Sequence, residues 1–128
     1  MFSIVIPTFN NLDYLKLCIK SIKKNSNYKH QIIPHVNIGN DGTKDYLKNN
    51  NIEFTFTDYN AGICKGMNMA SKKAEFEYIL YAHDDFYFCP DWDSVLSNEL
   101  KKIGHNNFYL SGIMTVSYTH LTLPTSSQ

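Results

Sequence analysis

Four short apolar runs rich in β-formers each end at a polar turn, and helix-like segments separate them. Phe2 to Ile6 stops at Pro7-Thr8-Phe9-Asn10, and Gln31 to Gly39 stops at Asn40-Asp41-Gly42-Thr43. Ile52 to Thr57 leads to Asn60-Ala61-Gly62, and Tyr78 to Ala82 ends at His83-Asp84-Asp85. Strands alternating with helices predict an α/β fold with a mostly parallel sheet covered on both faces. In such a sheet the turns after the strands lie along one edge, where ligands bind. Four polar turns on one edge can therefore converge on one ligand.

The intervening segments fit that plan. Leu12, Leu15, Ile19 and Ile22 recur at helical spacing, with Asn10 or Asn11 as the expected cap and Lys20, Lys23 and Lys24 suiting the end of the dipole. Lys44 to Asn50 makes at most two helical turns. Ile63, Met67, Ala70 and Ala74 form one face of a helix, and Trp92, Leu96, Leu100 and Ile103 form another after Pro90. Pro34 removes a ladder donor from the second strand and predicts a bulge or an edge there. Phe108 to Met114 reads as the start of a fifth strand.

The length of 128 residues suits one domain, and 43% hydrophobic residues suffice for a core. Twelve basic residues balance twelve acidic ones, which disfavours nucleic acid or an anionic membrane as the main partner. No run approaches the roughly 20 apolar residues of a membrane span. The first residues show no signal-peptide pattern. Cys18, Cys64 and Cys89 are odd in number and widely spaced, so they read as small buried hydrophobes in a reduced chain. The expected location is cytoplasmic, with membrane association open for a longer enzyme.

The acidic pair is the sharpest chemical signal. A buried carboxylate without partners is costly, so Asp84 and Asp85 at a strand end call for solvent, hydrogen-bond donors or a cation. Hard divalent ions take carboxylate oxygens together with phosphates and waters. A solvated turn is the plain alternative for an isolated acidic pair. Asn-Asp-Gly at Asn40 to Gly42 is strong turn chemistry in its own right. Asn60 can simply cap its helix and Gly62 ease a turn. Phe9 can be core, and His30, His35 and His105 read as structural.

Together these motifs resemble family 2 glycosyltransferases of the GT-A fold. The likeness is carried by Ser3-Ile4-Val5-Ile6-Pro7-Thr8-Phe9-Asn10, Asn40-Asp41-Gly42-Thr43-Lys44-Asp45, Asn60-Ala61-Gly62 through Gly66-Met67-Asn68-Met69-Ala70, Tyr81-Ala82-His83-Asp84-Asp85 and Pro90-Asp91-Trp92. It implies a Rossmann-like, mostly parallel sheet flanked by helices, here truncated. It also implies transfer of a sugar from a UDP- or GDP-type nucleotide sugar to an acceptor hydroxyl, usually with inversion. Carried over residue by residue, Pro7, Thr8, Phe9 and Asn10 border the base and ribose, and Asp41 accepts a hydrogen bond from the base. Asn60 and Gly62 lie near the base, Asp84 sits by the ribose and metal, and Asp85 is the main protein ligand for Mg²⁺ or Mn²⁺. The acceptor is not identified.

The chain departs from the family pattern in places. His83 stands where many members carry the first Asp of the metal motif, Asn40 replaces a frequent Asp, and Met67 a frequent Arg. His83 is read as a surface residue rather than a ligand. The general base that such a transfer requires is expected beyond the chain end. Val116 to Thr125 resembles the conceptual translation of a transposon-based sequencing adapter. The expectation is thus a nucleotide-sugar-binding part over residues 1–115 and a non-native tail over 116–128.

Other readings rank lower. A non-catalytic nucleotide-binding module of similar fold is the alternative function. A phosphate-acceptor receiver places its acidic pair after the first strand, where Pro7-Thr8-Phe9-Asn10 stands here. A dinucleotide-binding domain needs Gly-x-Gly-x-x-Gly after that strand, which is missing.

Overall fold

The computed structural model describes residues 1–111. Its elements run β1 (Phe2–Phe9), α1 (Leu12–Asn25), β2 (Gln31–Asn37), α2 (Thr43–Asn49), β3 (Thr55–Thr57), α3 (Gly62–Ser71), β4 (Tyr78–Tyr81) and α4 (Trp92–Ile103). The strands form one sheet in the order β3-β2-β1-β4, and every pairing is parallel. The order reverses between β1 and β4, which makes their carboxyl ends the topological switch point of the sheet.

Alternation along β1 builds two cores. Ile4 and Ile6 face one way and pack with Leu15, Cys18, Ile19 and Ile22 of α1, with Leu47 of α2, and with half-buried Trp92, Leu96 and Leu100 of α4. Val5 faces the other way and joins Ile33, Ala70 and half-buried Met67. Residues Phe2 to Thr8 are consequently all buried, the signature of a central strand covered on both faces. Each fully buried Ile or Leu there contributes roughly 1.5–3 kcal/mol.

Both sheet prolines sit where a strand has a neighbour on one side only. The β1–β4 pairing ends at Val5, whereas β1 stays paired with β2 as far as Phe9, so Pro7 lies inside β1 rather than in a turn. Pro34 pairs with Ile6 in an unbroken register, and β3 begins only opposite His35. The edge predicted at Pro34 is therefore present and the bulge is not.

Other elements are shorter than their apolar patterns. The second strand stops at Asn37 because Ile38 and Gly39 both take positive φ (66° and 69°), and the Gly39 N–H turns back to the Asn37 carbonyl at 2.8 Å. A left-handed β-branched residue is a strained feature. Glycine suits position 39 on two counts, since a side chain there would be strained at this φ and would run into Val36 Cγ1. Ile52 and Phe54 pack against the core before β3 starts, which explains why the alternation begins earlier than the pairing. The fifth strand is not found in residues 108–111, and residues 112–114 lie outside the described part. Cys18 is buried as expected, but Cys64 and Cys89 are exposed, so the reading of all three as core residues fails.

The amino-terminal end of the sheet is closed by a buried carboxylate. Asp93, near the start of α4, accepts hydrogen bonds from the backbone N–H groups of Asn27 (2.8 Å), Tyr28 (2.9 Å) and Ser94 (3.0 Å). It also accepts one from His30 Nε2 at 2.9 Å, with both side chains almost fully buried. The Phe2 N–H donates to His30 Nδ1 at 3.0 Å, which leaves Nε2 as the protonated nitrogen of a neutral ring. Burial works to raise the Asp93 pKa, but the bonds from His30, Asn27, Tyr28 and Ser94 outweigh it and hold the carboxyl below its usual range. Phe2, Trp92 and Tyr28 rings surround the pair.

Candidate functional site

At the opposite edge, four turns line up in the order of their strands. The Asp84-Asp85 turn follows β4, Thr8 to Asn10 ends β1, Asn40-Asp41 follows β2, and Asn60 to Gly62 follows β3. With neighbouring strands about 4.8 Å apart, the first and last of these turns are separated by roughly 14 Å.

Specific hydrogen bonds stitch neighbouring turns together. Thr8, buried at the end of β1, donates its hydroxyl to Asp84 Oδ2 at 2.8 Å. Asn10 takes a left-handed conformation (φ 44°), and its Oδ1 accepts the Asn40 N–H at 3.1 Å. Asp41 Oδ2 accepts the Leu12 N–H at 3.1 Å, while Oδ1 accepts the N–H (3.2 Å) and the hydroxyl of Thr43. Asn37 Oδ1 accepts the Ala61 N–H at 2.8 Å, and Asn60 Oδ1 accepts the Gly62 N–H at 3.1 Å.

Asp41 thus serves the starts of two helices. Asn11 stands at the N-cap position of α1, yet its side chain makes no capping bond, so Asp41 does that work from across the edge. The expected cap position at Asn11 is thus found, but the bond to the helix start comes from Asp41 instead of the Asn11 side chain. Burial acts to raise the Asp41 pKa, and the donors from Thr43 and Leu12 reverse it to a net lowering. The residue remains exposed, and a carboxylate has about four lone-pair sites, so acceptor capacity is left for a ligand. A cleft of about 260 Å³ opens beside it, lined by Asn10, Asn11, Leu12, Asp13, Tyr14 and Asp41. The larger concavity, about 400 Å³ and lined by Lys23, Tyr28, Lys29 and Ile32 among others, lies at the amino-terminal end, away from these turns.

Asp84 and Asp85 occupy a turn closed by the Phe86 N–H on the His83 carbonyl at 3.2 Å. Asp84 is half-buried against Thr8, whereas Asp85 is exposed, and among the described residues none bonds its carboxylate. His83 is exposed and lies against Tyr81 and Phe86, with ring centroids 5.0 and 5.1 Å away, and its ring nitrogens are within 3.3 Å of the Tyr81 hydroxyl. Beneath the turn, burial and then the Asp84 and Asp85 charges push the Cys18 thiol up to about 12. Cys18 is therefore a protonated, buried thiol at neutral pH.

The donor set suits a hard divalent ion only in part. Among the described residues, no three His, Cys, Asp or Glu side chains converge as a metal cage. Two adjacent carboxylates fit an ion of the Mg²⁺ class, which is bound by one or two carboxylates together with phosphates and waters.

The remaining expected residues fall as follows. Phe9 is 48% exposed at the end of β1, so it is not core. Pro7 is buried inside the sheet and reaches a ligand only through its neighbours. Gly62 has φ 83°, and a Cβ placed there would meet nothing within 4 Å, so the glycine serves the backbone turn and leaves open space above it. Residues that sequence reasoning passed over are Asn37, Thr57 and Asp93. Their signal is a polar residue inside an apolar run or next to an aromatic, which sequence pattern alone gives no reason to single out.

Comparison with known proteins agrees with this architecture. The family model described as glycosyl transferase family 2 matches residues 3–123. No curated protein matches the chain. Among solved structures, residues 1–349 of TarS from S. aureus superpose with a TM-score of 0.70 at 21% identity, over 79% of this chain and 32% of that one. The same protein in complex with UDP gives 0.67 at 21% identity, over 78% and 32%. The mannosyltransferase PcManGT from Pyrobaculum calidifontis, in complex with GDP-Man and Mn²⁺, gives 0.64 at 18% identity, over 81% and 32%. At these identities the likeness is one of fold. The chain spans about a third of the length of each of these structures.

Proposed function

Because this chain belongs to glycosyl transferase family 2, we propose that its carboxyl edge is the donor site of an enzyme that transfers sugar from a nucleotide diphosphate sugar to a hydroxyl acceptor, with inversion. The observation that carries this reading is the acidic turn at the topological switch point: Thr8 fixes Asp84, and Asp85 is left open to solvent. An unpaired carboxylate at that position is suited to a cation and, through it, to a diphosphate.

The division of labour is the one the family resemblance implies, and the geometry supports it. Asp85 and the second oxygen of Asp84 would hold Mg²⁺ or Mn²⁺, and such an ion would offset charge developing on a diphosphate leaving group. Phe9, Asn10, Asp41, Asn60 and Gly62 lie one to three strands away along the edge and take the nucleoside. Asp41 is already held by donors from two helix starts, so it meets a base without moving. The resemblance to the family implies a base in the acceptor-binding half, outside the residues described, so this chain alone is expected to bind donor without efficient transfer. The supporting comparisons are relatives of the same fold whose complexes hold UDP, or GDP-Man with Mn²⁺.

Calorimetric titration with UDP and GDP, with and without Mn²⁺, tests the reading. Binding that strengthens with Mn²⁺ is the expected result. Absence of any nucleotide binding, or robust sugar transfer by this chain alone, would contradict it.

A further inference from the structure

Behind the Asn60 turn lies a chain of buried polar side chains that the proposed site does not use directly. His35 of β2 is fully buried, Asn37 is 3% exposed and Thr57 of β3 is 8% exposed. His35 Nδ1 lies 2.7 Å from Thr55 Oγ1, and its Nε2 lies 3.1 Å from Thr57 Oγ1. Thr57 Oγ1 also lies 2.8 Å from the Tyr59 carbonyl and 3.2 Å from Asn37 Oδ1. Asn37 Oδ1 in turn holds the Ala61 N–H at 2.8 Å.

The protons in this chain can be assigned from its ends. A hydroxyl has one proton, and the Tyr59 carbonyl is the nearer of Thr57's two oxygen acceptors, so Thr57 donates there. His35 Nε2–H then donates to Thr57, and the Thr55 hydroxyl donates to His35 Nδ1. Burial lowers the His35 pKa, in keeping with a neutral ring. With that proton on the Tyr59 carbonyl, Thr57 and Asn37 Oδ1 are neighbours rather than donor and acceptor, and two separate bonds reach the turn: Thr57 holds the carbonyl before Asn60 and Asn37 Oδ1 holds the N–H after it. Asn60 is thus held from both sides, while its own side chain caps Gly62 at 3.1 Å. Gly66 completes the arrangement, since a Cβ there would come within 2.8 Å of the His35 ring. Buried polar groups cost free energy unless every partner is present, and a strand pair of this length needs none of them to pack.

We propose that His35, Thr57 and Asn37 are positioning residues that fix the Asn60 turn in its ligand-binding conformation. The inference rests on the donor-site reading of this edge. Thr57→Val keeps the shape and branching but removes the hydroxyl, and Thr57→Ser keeps the hydroxyl. Titration with UDP and GDP in the presence of Mn²⁺ is expected to show affinity of the preferred nucleotide falling roughly tenfold in Thr57→Val, the equivalent of one lost hydrogen bond. Thr57→Ser is expected to bind within about twofold of the wild type, since its hydroxyl is retained. Amide hydrogen exchange at Ala61 should speed up in Asn37→Ala, which removes its acceptor, while the amides of Ile4 to Ile6 stay as protected as before. Should Thr57→Val fold poorly, Asn37→Ala releases the turn from its other side and should also lose nucleotide affinity. Wild-type affinity in the folded variant, or equal losses in the Val and Ser variants, would overturn the inference and leave the donor site standing. A wild-type chain that binds neither nucleotide would overturn the donor-site reading and this inference with it.

Discussion

Two carboxylates stand at opposite ends of the same sheet and live in opposite conditions. Asp93 at the amino-terminal end is fully buried and receives donors from Asn27, Tyr28, Ser94 and His30. Asp85 at the carboxyl end is exposed. Its neighbour Asp84 receives, among the described residues, only the Thr8 hydroxyl, on Oδ2. The difference separates structure from function. A carboxylate whose partners all come from its own chain ties elements together, as Asp93 ties α4 to the α1–β2 connection. A carboxylate left open at a switch point has capacity for a ligand. Asp41 is intermediate: it is exposed, yet it already holds the first turns of α1 and α2.

Substitutions can break that contrast, and the largest effect belongs to Asp93. Asp93→Ala strands several buried donors and is expected to cost about 3–5 kcal/mol in urea unfolding. A loss under 1 kcal/mol would show that the buried carboxylate is not the tie described. Acid titration sharpens the point. Asp93 and Asp41 both have pKa values lowered in the folded state. Their contribution is therefore present above the unfolded carboxyl pKa of about 3.9 and is lost as pH falls through the lower folded values. Stability against pH should drop across that acid window, and the drop should be shallower in Asp93→Asn.

Smaller effects follow at the carboxyl edge. Asp41→Ala should cost about 1–2 kcal/mol, the range of a lost helix cap, and should weaken nucleotide binding even without metal. Asp85→Ala should leave stability within about 0.5 kcal/mol of the wild type, as befits an exposed residue free of structural duty. Marked destabilisation by Asp85→Ala would collapse the distinction between the two ends.

Much of this was readable from the residues. The alternation of apolar runs and helical spacings placed all four strands in the described part, because strands buried on both faces cannot avoid continuous apolar stretches such as Ser3-Ile4-Val5-Ile6. The turns at Asn10, Asp41, Asn60 and Asp84 were legible for the complementary reason that polar residues must interrupt those runs. Partnerships were not legible. Nothing local in Asn27-Tyr28 or Asp93 announces their meeting across more than sixty positions of chain. Nor does local sequence reveal that Asp41 rather than Asn11 caps α1, since capping preference favours the nearer residue. Strand ends were misplaced where backbone constraint outweighed pattern, as at Pro7, which fits an extended strand with one free side, and Ile38, whose positive φ ends β2.

The central claim is that the open carboxylate at the switch point is a metal-assisted nucleotide site. Its most direct test is calorimetric titration of UDP and GDP into wild type and Asp85→Ala, each with and without Mn²⁺. Mn²⁺ is expected to strengthen binding of one nucleotide to the wild type and to have no effect on Asp85→Ala, while both proteins unfold at the same urea concentration. Identical Mn²⁺-dependent binding by the two proteins would contradict it and return Asp84-Asp85 to the status of a solvated turn.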